Sequence, residues 1–203
     1  MRYKWLNEEN NSKLIVFFNG WGMDESIVNH LSFDGYDVLM FYDYNTLDTD
    51  FDFSFLEKYK EKHLVAWSMG VMIASIFDIK YTSSVAVNGT LKPIDNNFGI
   101  PVRIYDLTIR GFTPEGAKKF IRNMYETEPP KLDIKREFSN QKSELEILKT
   151  YTANQNFKYT KVIISDNDKI IPTKNQITFW EKEPNIRCGH AVFHLFKNWG
   201  ELL

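Results

Sequence analysis

Apolar residues in this chain arrive in short, nearly unbroken runs separated by polar segments of helical length. Residues 14–18, 36–42, 63–67, 84–87 and 161–165 each read as a strand buried on both faces, with 102–105 and 185–188 as short additional strands. Segments 24–31, 53–60, 69–77, 173–181 and 191–202 read as helices between and after them. Near-continuous apolar strands alternating with helices are the mark of a parallel sheet covered on both faces, so the expected class is α/β.

The rhythm breaks from about 110 to 150, where the chain is charged, lacks any strand-like run, and shows helical spacing around "PEGAKKFIRNMY" and "SELEILKTY". Insertions emerge from the loops of a parallel sheet, and ligands bind outside the carboxyl ends of its strands. This stretch is therefore expected to form a small helical lid over a site, within a single domain spanning residues 1–203.

Composition narrows the function classes. A chain of 203 residues with 43% hydrophobic residues can bury one substantial core. The net charge of −2 removes the broad basic surface that generic nucleic-acid binding needs. No apolar run approaches the ~20 residues that span a bilayer. Cys188 is the single cysteine, and the Met1 end lacks the apolar core of a signal peptide, so a reducing cytoplasm is the expected location.

Candidate chemistry begins at "AWSMG", residues 66–70, where a buried strand gives way to a helix at Ser68. A nucleophile that must stand clear of a sheet needs a sharp strand-to-helix turn flanked by small residues. Ala66 takes the place of the first glycine in the usual G-x-S-x-G pattern. A serine hydroxyl also needs an imidazole to take its proton and a carboxylate to fix that imidazole's tautomer. Downstream, "KVIISDNDKIIP" ends a strand at Asp166 and Asp168, and "IRCGHAVFHLF" ends one at His190. The order Ser, acid, His is that of α/β-hydrolases. Asp168, four residues before Pro172, is the favoured acid, and Asp166 is read as turn chemistry. The turn "FFNGWG" after the first strand lies where an oxyanion hole forms, with the backbone N–H groups of Trp21 and Met69 as the expected donors. "NGWGMD" fails the dinucleotide pattern G-x-G-x-x-G, and the acidic loop 43–52 lacks EF-hand spacing, so no metal is expected there.

Together, "FFNGWGMD", "AWSMG", "VNGTLKPID" and "GHAVF" resemble the BioG-type pimeloyl-acyl-carrier-protein methyl ester esterases of biotin synthesis, from about Leu14 to the C-terminus. The resemblance implies an α/β-hydrolase fold with a helical lid, and hydrolysis of the methyl ester on a pimeloyl chain borne by an acyl-carrier protein. It also implies that Ser68, Asp168 and His190 match the family's triad, with no cofactor. Asn19 stands where related hydrolases often carry His before the oxyanion turn. An acyl chain needs an apolar slot, which Trp21, Met23, Trp67, Met69 and Phe193 are placed to line, core packing being the other reading of most of them and of Trp67. Carrier proteins are acidic, and Arg110, Lys118, Lys119 and Arg122 against Glu115 alone make the lid a candidate docking face. Another hydrolase on the same machinery, a thioesterase or short-chain carboxylesterase, and a non-catalytic ligand-binding protein are the alternative readings.

Overall fold

The computed structural model describes residues 1–203. Its centre is a six-stranded sheet built from β1 (Arg2–Asn7), β2 (Lys13–Phe18), β3 (Tyr36–Tyr42), β4 (Glu61–Trp67), β5 (Ser83–Val87) and β6 (Lys161–Ile163). The strand order is β1-β3-β2-β4-β5-β6, parallel throughout except for β1, which pairs antiparallel with β3. Strict alternation divides the strands between two cores. Leu14, Val16, Phe18, Leu39, Phe41, Leu64 and Ala66 face one side; Ile15, Phe17, Val38, Met40, Val65 and Trp67 face the other. Every one of these side chains is at most 1% exposed, which is why both faces of the central strands read as apolar.

Helices α1 (Met69–Ala74), α2 (Val102–Arg110), α3 (Pro114–Met124), α4 (Phe138–Leu148) and α5 (Thr173–Trp180) complete the architecture. The three helices α2 to α4 lie between β5 and β6 in the chain, starting at Val102 rather than near 110. Residues 102–105, expected as a strand, are the first turn of α2. Pro101, with φ −54°, sets up the helix start, and Asn96 Oδ1 accepts the Val102 N–H at 3.1 Å. The strand-like look came from Val102, Ile104 and Leu107, which form an exposed apolar strip while Tyr105 turns inward.

Four other expectations change. Residues 24–31 form one 3-10 turn, Glu25–Ile27, capped by Asp24, whose Oδ1 accepts the Ser26 N–H at 3.0 Å. The expected helix at 53–60 is a 3-10 segment, Phe53–Lys58. Residues 185–188 make only a bridge from Ile186 to Ser165. The last expected helix, 191–202, is two 3-10 turns, Phe193–Leu195 and Trp199–Leu202, joined by chain that bonds to Ser32. That break lets both Phe193 and Trp199 pack edge-on against Phe17, with ring centroids at 5.5 and 5.1 Å. No helix is long and apolar enough to cross a membrane.

Gly70 fixes how near α1 comes to the sheet. A Cβ there would lie 2.3 Å from the Phe18 carbonyl oxygen and 2.6 Å from that of Asn19, both rigid backbone atoms. Gly70→Ala is expected to cost about 2–3 kcal/mol, the scale of overpacking in a well-filled core, read as a lowered urea midpoint.

Candidate active site

Ser68 lies on the sharp turn between β4 and α1, with φ 57° and ψ −123°. A side-chain-bearing residue adopts this conformation at a cost of about 1–3 kcal/mol, so the surroundings must hold it. The Ser68 N–H donates to the Val87 carbonyl at 3.0 Å, tying the turn to the end of β5. The hydroxyl meets His190, whose Nε2 is 2.9 Å from Ser68 Oγ. Across the ring, Nδ1 is 2.7 Å from Asp168 Oδ2. With an ionised carboxylate as acceptor, the proton sits on Nδ1, which leaves Nε2 free to accept from the hydroxyl. All three residues are at least 94% buried by residue, with Ser68 and Asp168 at 6% exposure and His190 at 1%.

Each member is braced from behind. Asp168 Oδ1 accepts the N–H groups of Ile170 and Ile171 at 2.8 and 3.0 Å, and Oδ2 accepts Gln176 Nε2 from α5 at 2.8 Å. The Asp168 N–H donates to Thr173 Oγ1 at 3.0 Å. The His190 carbonyl accepts from Trp67 Nε1 at 3.0 Å and from Asn88 Nδ2 at 2.9 Å. Asn88 also donates to Ser165 Oγ at 2.7 Å and accepts the Ser165 N–H at 2.8 Å, so one buried amide joins the end of β5 to both the acid and the histidine loops. Asp166 is exposed and its Oδ1 accepts the Cys188 N–H at 3.1 Å, a bond across the loop outside the Ser68–His190–Asp168 chain.

The turn after β2 carries three consecutive backbone N–H groups with different fates. The Gly20 N–H donates to Asn19 Oδ1 at 2.8 Å, and the Gly22 N–H donates to Glu144 Oε2 at 3.1 Å. The Trp21 N–H between them meets no acceptor in the protein. Met69 opens α1, where a helix leaves its first N–H groups without internal partners. Asn19, fully buried, also donates from Nδ2 to the Asp24 carbonyl at 2.9 Å, so this amide braces the turn from within. A Cβ on Gly20 would strike the Trp67 ring at 2.7 Å; its absence lets the indole pack directly against the turn.

Beside these groups is a cavity of about 120 Å³ lined by Gly20, Trp21, Trp67, Ser68, Met69 and His190. Ile100, Ile104, Tyr105, Phe120, Met124, Leu145 and Ile170 complete a mostly apolar wall, interrupted by Thr108, Asn123 and Lys169. Two expected lining residues fall elsewhere. Met23 and Phe193 are core residues at 3% and 1% exposure: Phe193 is spent packing on Phe17 and Trp67, and Met23 lies with Trp21 and Phe120 around a separate small pocket. Arg110, Lys118, Lys119 and Arg122 are exposed on α2 and α3, and Lys119 borders a shallow groove with Ile104, Leu107 and Phe120. Asp43, from the acidic loop, is paired with Arg136 at 3.1 Å and Arg2 at 3.4 Å. Asn88, Gln176, Glu144 and Arg136 were not anticipated, because nothing about an isolated Asn, Gln or Glu–Arg pair announces the backbone groups it will meet.

The parallel sheet, the strained turn and the chain order of these residues are those of an α/β-hydrolase. An α/β-hydrolase fold protein from Burkholderia ambifaria superposes with a TM-score of 0.59 over 98% of this chain and 90% of that one, at 16% identity, a likeness of fold alone. The crystal structure of selenomethionine BioG from Haemophilus influenzae superposes with a TM-score of 0.88 at 32% identity, covering 100% of this chain and 99% of that one. A protein from Bacteroides fragilis named malonyl-[acyl-carrier protein] O-methyltransferase is 35% identical over 190 residues, covering 84% of this chain but only 37% of that longer protein. The family described as pimeloyl-ACP methyl esterase BioG matches residues 1–202, and on that match the chain belongs to this family.

Proposed function

We propose that the protein is a serine esterase that hydrolyses the methyl ester of pimeloyl-acyl-carrier protein, its step in biotin synthesis. The observation that carries the chemistry is the unbroken hydrogen-bonded chain Ser68–His190–Asp168 beside an apolar cavity. Family membership supplies the substrate class.

In this reading Ser68 Oγ attacks the ester carbonyl while His190 Nε2 takes the hydroxyl proton. Asp168 stabilises the resulting imidazolium and keeps Nδ1 protonated. Charge developing on the carbonyl oxygen falls between the N–H groups of Trp21 and Met69, which are oriented in advance and have no competing acceptor in the turn. His190 returns its proton to the departing methoxide, giving methanol and an acyl-serine. It then deprotonates water, which adds to the acyl carbonyl; collapse restores the Ser68 hydroxyl and frees the carboxylate. No metal or organic cofactor enters these steps. The acyl chain lies along the apolar wall, with helices α2 to α4 acting as the lid of a single domain. Arg110, Lys118, Lys119 and Arg122, beside the exposed Ile104 and Leu107, supply a basic and apolar face to an acidic carrier protein.

Ser68→Ala is expected to abolish both turnover and labelling by a fluorophosphonate. Asp168→Asn should lower kcat by roughly 10³- to 10⁴-fold, the scale of losing the correct histidine tautomer. Comparing methyl pimeloyl carrier protein with p-nitrophenyl esters and acyl thioesters tests the substrate: faster turnover of the thioesters would replace the esterase assignment.

For docking, the double substitution Lys118→Glu, Arg122→Glu should raise KM for the carrier-bound ester roughly five-fold at low salt, the weight of about 1 kcal/mol at an interface rim. The difference should shrink as salt rises. An unchanged KM would remove these residues from the interface.

Cys188 is the other nucleophilic side chain near the site, and burial pushes its thiol up to about 11. At pH 8 it is therefore almost wholly protonated, and iodoacetamide should modify it at least 100-fold more slowly in the native protein than in urea. Comparable rates in the two states would contradict this.

A further inference from the structure

The turn that presents Trp21 is clamped from two directions, and one clamp is charged and comes from α4. Glu144, fully buried, receives the Gly22 N–H on Oε2 at 3.1 Å and the Tyr44 N–H on Oε1 at 2.7 Å. Arg136 Nη1 donates to the same Oε2 at 2.6 Å, and its other terminal nitrogen reaches Asp43 at 3.1 Å. One residue pair away, the Gln141 carbonyl accepts Trp21 Nε1 at 2.8 Å. The aromatic ring of Trp21 is gripped by Phe112 and Phe120, with centroids at 5.1 and 4.8 Å.

A buried carboxylate is costly, and a site that stabilises an oxyanion is a poor place to keep one without reason. Its geometry supplies the reason. The peptide bearing the Trp21 N–H is flanked by the Gly20 N–H, fixed to Asn19, and the Gly22 N–H, fixed to Glu144. With both neighbours pinned, the middle N–H has one direction left, and Arg136 cancels the negative charge that would oppose a developing oxyanion. Gly22, with φ 73°, is the flexible point at which the turn would otherwise rotate.

We infer that Glu144, neutralised by Arg136, is a positioning residue for the oxyanion hole, aiming the Trp21 N–H by anchoring Gly22 from the helical segment. The inference rests on the serine-esterase reading above. Glu144 touches no reacting atom; it acts through Gly22 and Trp21.

The test is kinetic. Glu144→Gln places an amide NH₂ against either the Tyr44 N–H or the Gly22 N–H and Arg136, so one anchor is lost with little change in volume. Glu144→Asp keeps the charge beside Arg136 but withdraws it by one methylene. Both variants should lose about 10- to 100-fold in kcat, a fraction of what losing a whole oxyanion donor costs, while KM stays within about two-fold. Affinity for a trifluoromethyl ketone, which forms a tetrahedral adduct on serine, should fall by the same factor as kcat. Rates are taken per site titrated with a fluorophosphonate, so partial unfolding lowers the number of sites and leaves the per-site rate intact. Unchanged kcat per labelled site in either folded variant, or a loss confined to KM, overturns the inference. Wild-type protein that neither labels nor turns over would instead overturn the esterase reading beneath it.

Discussion

The backbone at Ser68 turns through a conformation that its own side chain resists, and it is held there by what packs around it. Two glycines set the geometry. Gly70 lets α1 come to rest on the carbonyls of Phe18 and Asn19, and Gly89 lets the chain leaving β5 pass the Ser68 carbonyl, where a Cβ would come within 2.4 Å. The hydroxyl is thus lifted above the carboxyl ends of the strands, facing the loops after β2, β5 and β6. The remaining features of the site are arrangements of those loops around this fixed point.

Buried side-chain amides do much of that arranging. Asn19 shapes the turn after β2, Asn88 ties the acid and histidine loops to β5, and Gln176 holds the Asp168 carboxylate from α5. An amide carries both donors and an acceptor, so it can satisfy several buried backbone groups without bringing an uncompensated charge near His190. The charged exception, Glu144 with Arg136, lies on the far side of the turn from the strand that leads to Ser68. There burial pushes the carboxyl up while the guanidinium pulls it the other way.

What the chain disclosed in advance follows from which forces are local. Strands β2 to β5 were legible because their inner stretches, 14–18, 38–41, 64–67 and 85–87, are apolar without interruption and buried on both faces. The edge strand β1 was not, because "RYKWLN" puts Tyr3 and Trp5 against the core and leaves Arg2 and Lys4 toward solvent, too short an alternation to stand out. The expected strand at 102–105 failed through the exposed apolar strip of α2, and the last helix failed because tertiary packing of Phe193 and Trp199 on Phe17 overrode helical spacing. That Ser68, Asp168 and His190 would meet was legible because strand ends and chain order restrict where such residues fall, and they meet at 2.7 and 2.9 Å. Met23 and Phe193 stand next to the motif positions in sequence, but their side chains are taken up by core packing and do not line the cavity. The partners of Glu144 lie 122 and 100 residues away, a distance over which no local pattern carries information.

The Asn88–Gly89 step bears on how such a molecule ages. In a flexible chain an Asn-Gly pair cyclises readily to a succinimide, as the glycine nitrogen attacks the side-chain amide carbon. Here the amide nitrogen is committed to Ser165, Gly189 and His190, and Gly89 is wedged between the Ser68 carbonyl and Val71, so closing the ring would have to break those bonds and shift that backbone. Deamidation would put a carboxylate where two backbone carbonyls require a donor. A molecule damaged in that way holds its His190 carbonyl to the sheet through Trp67 Nε1 alone.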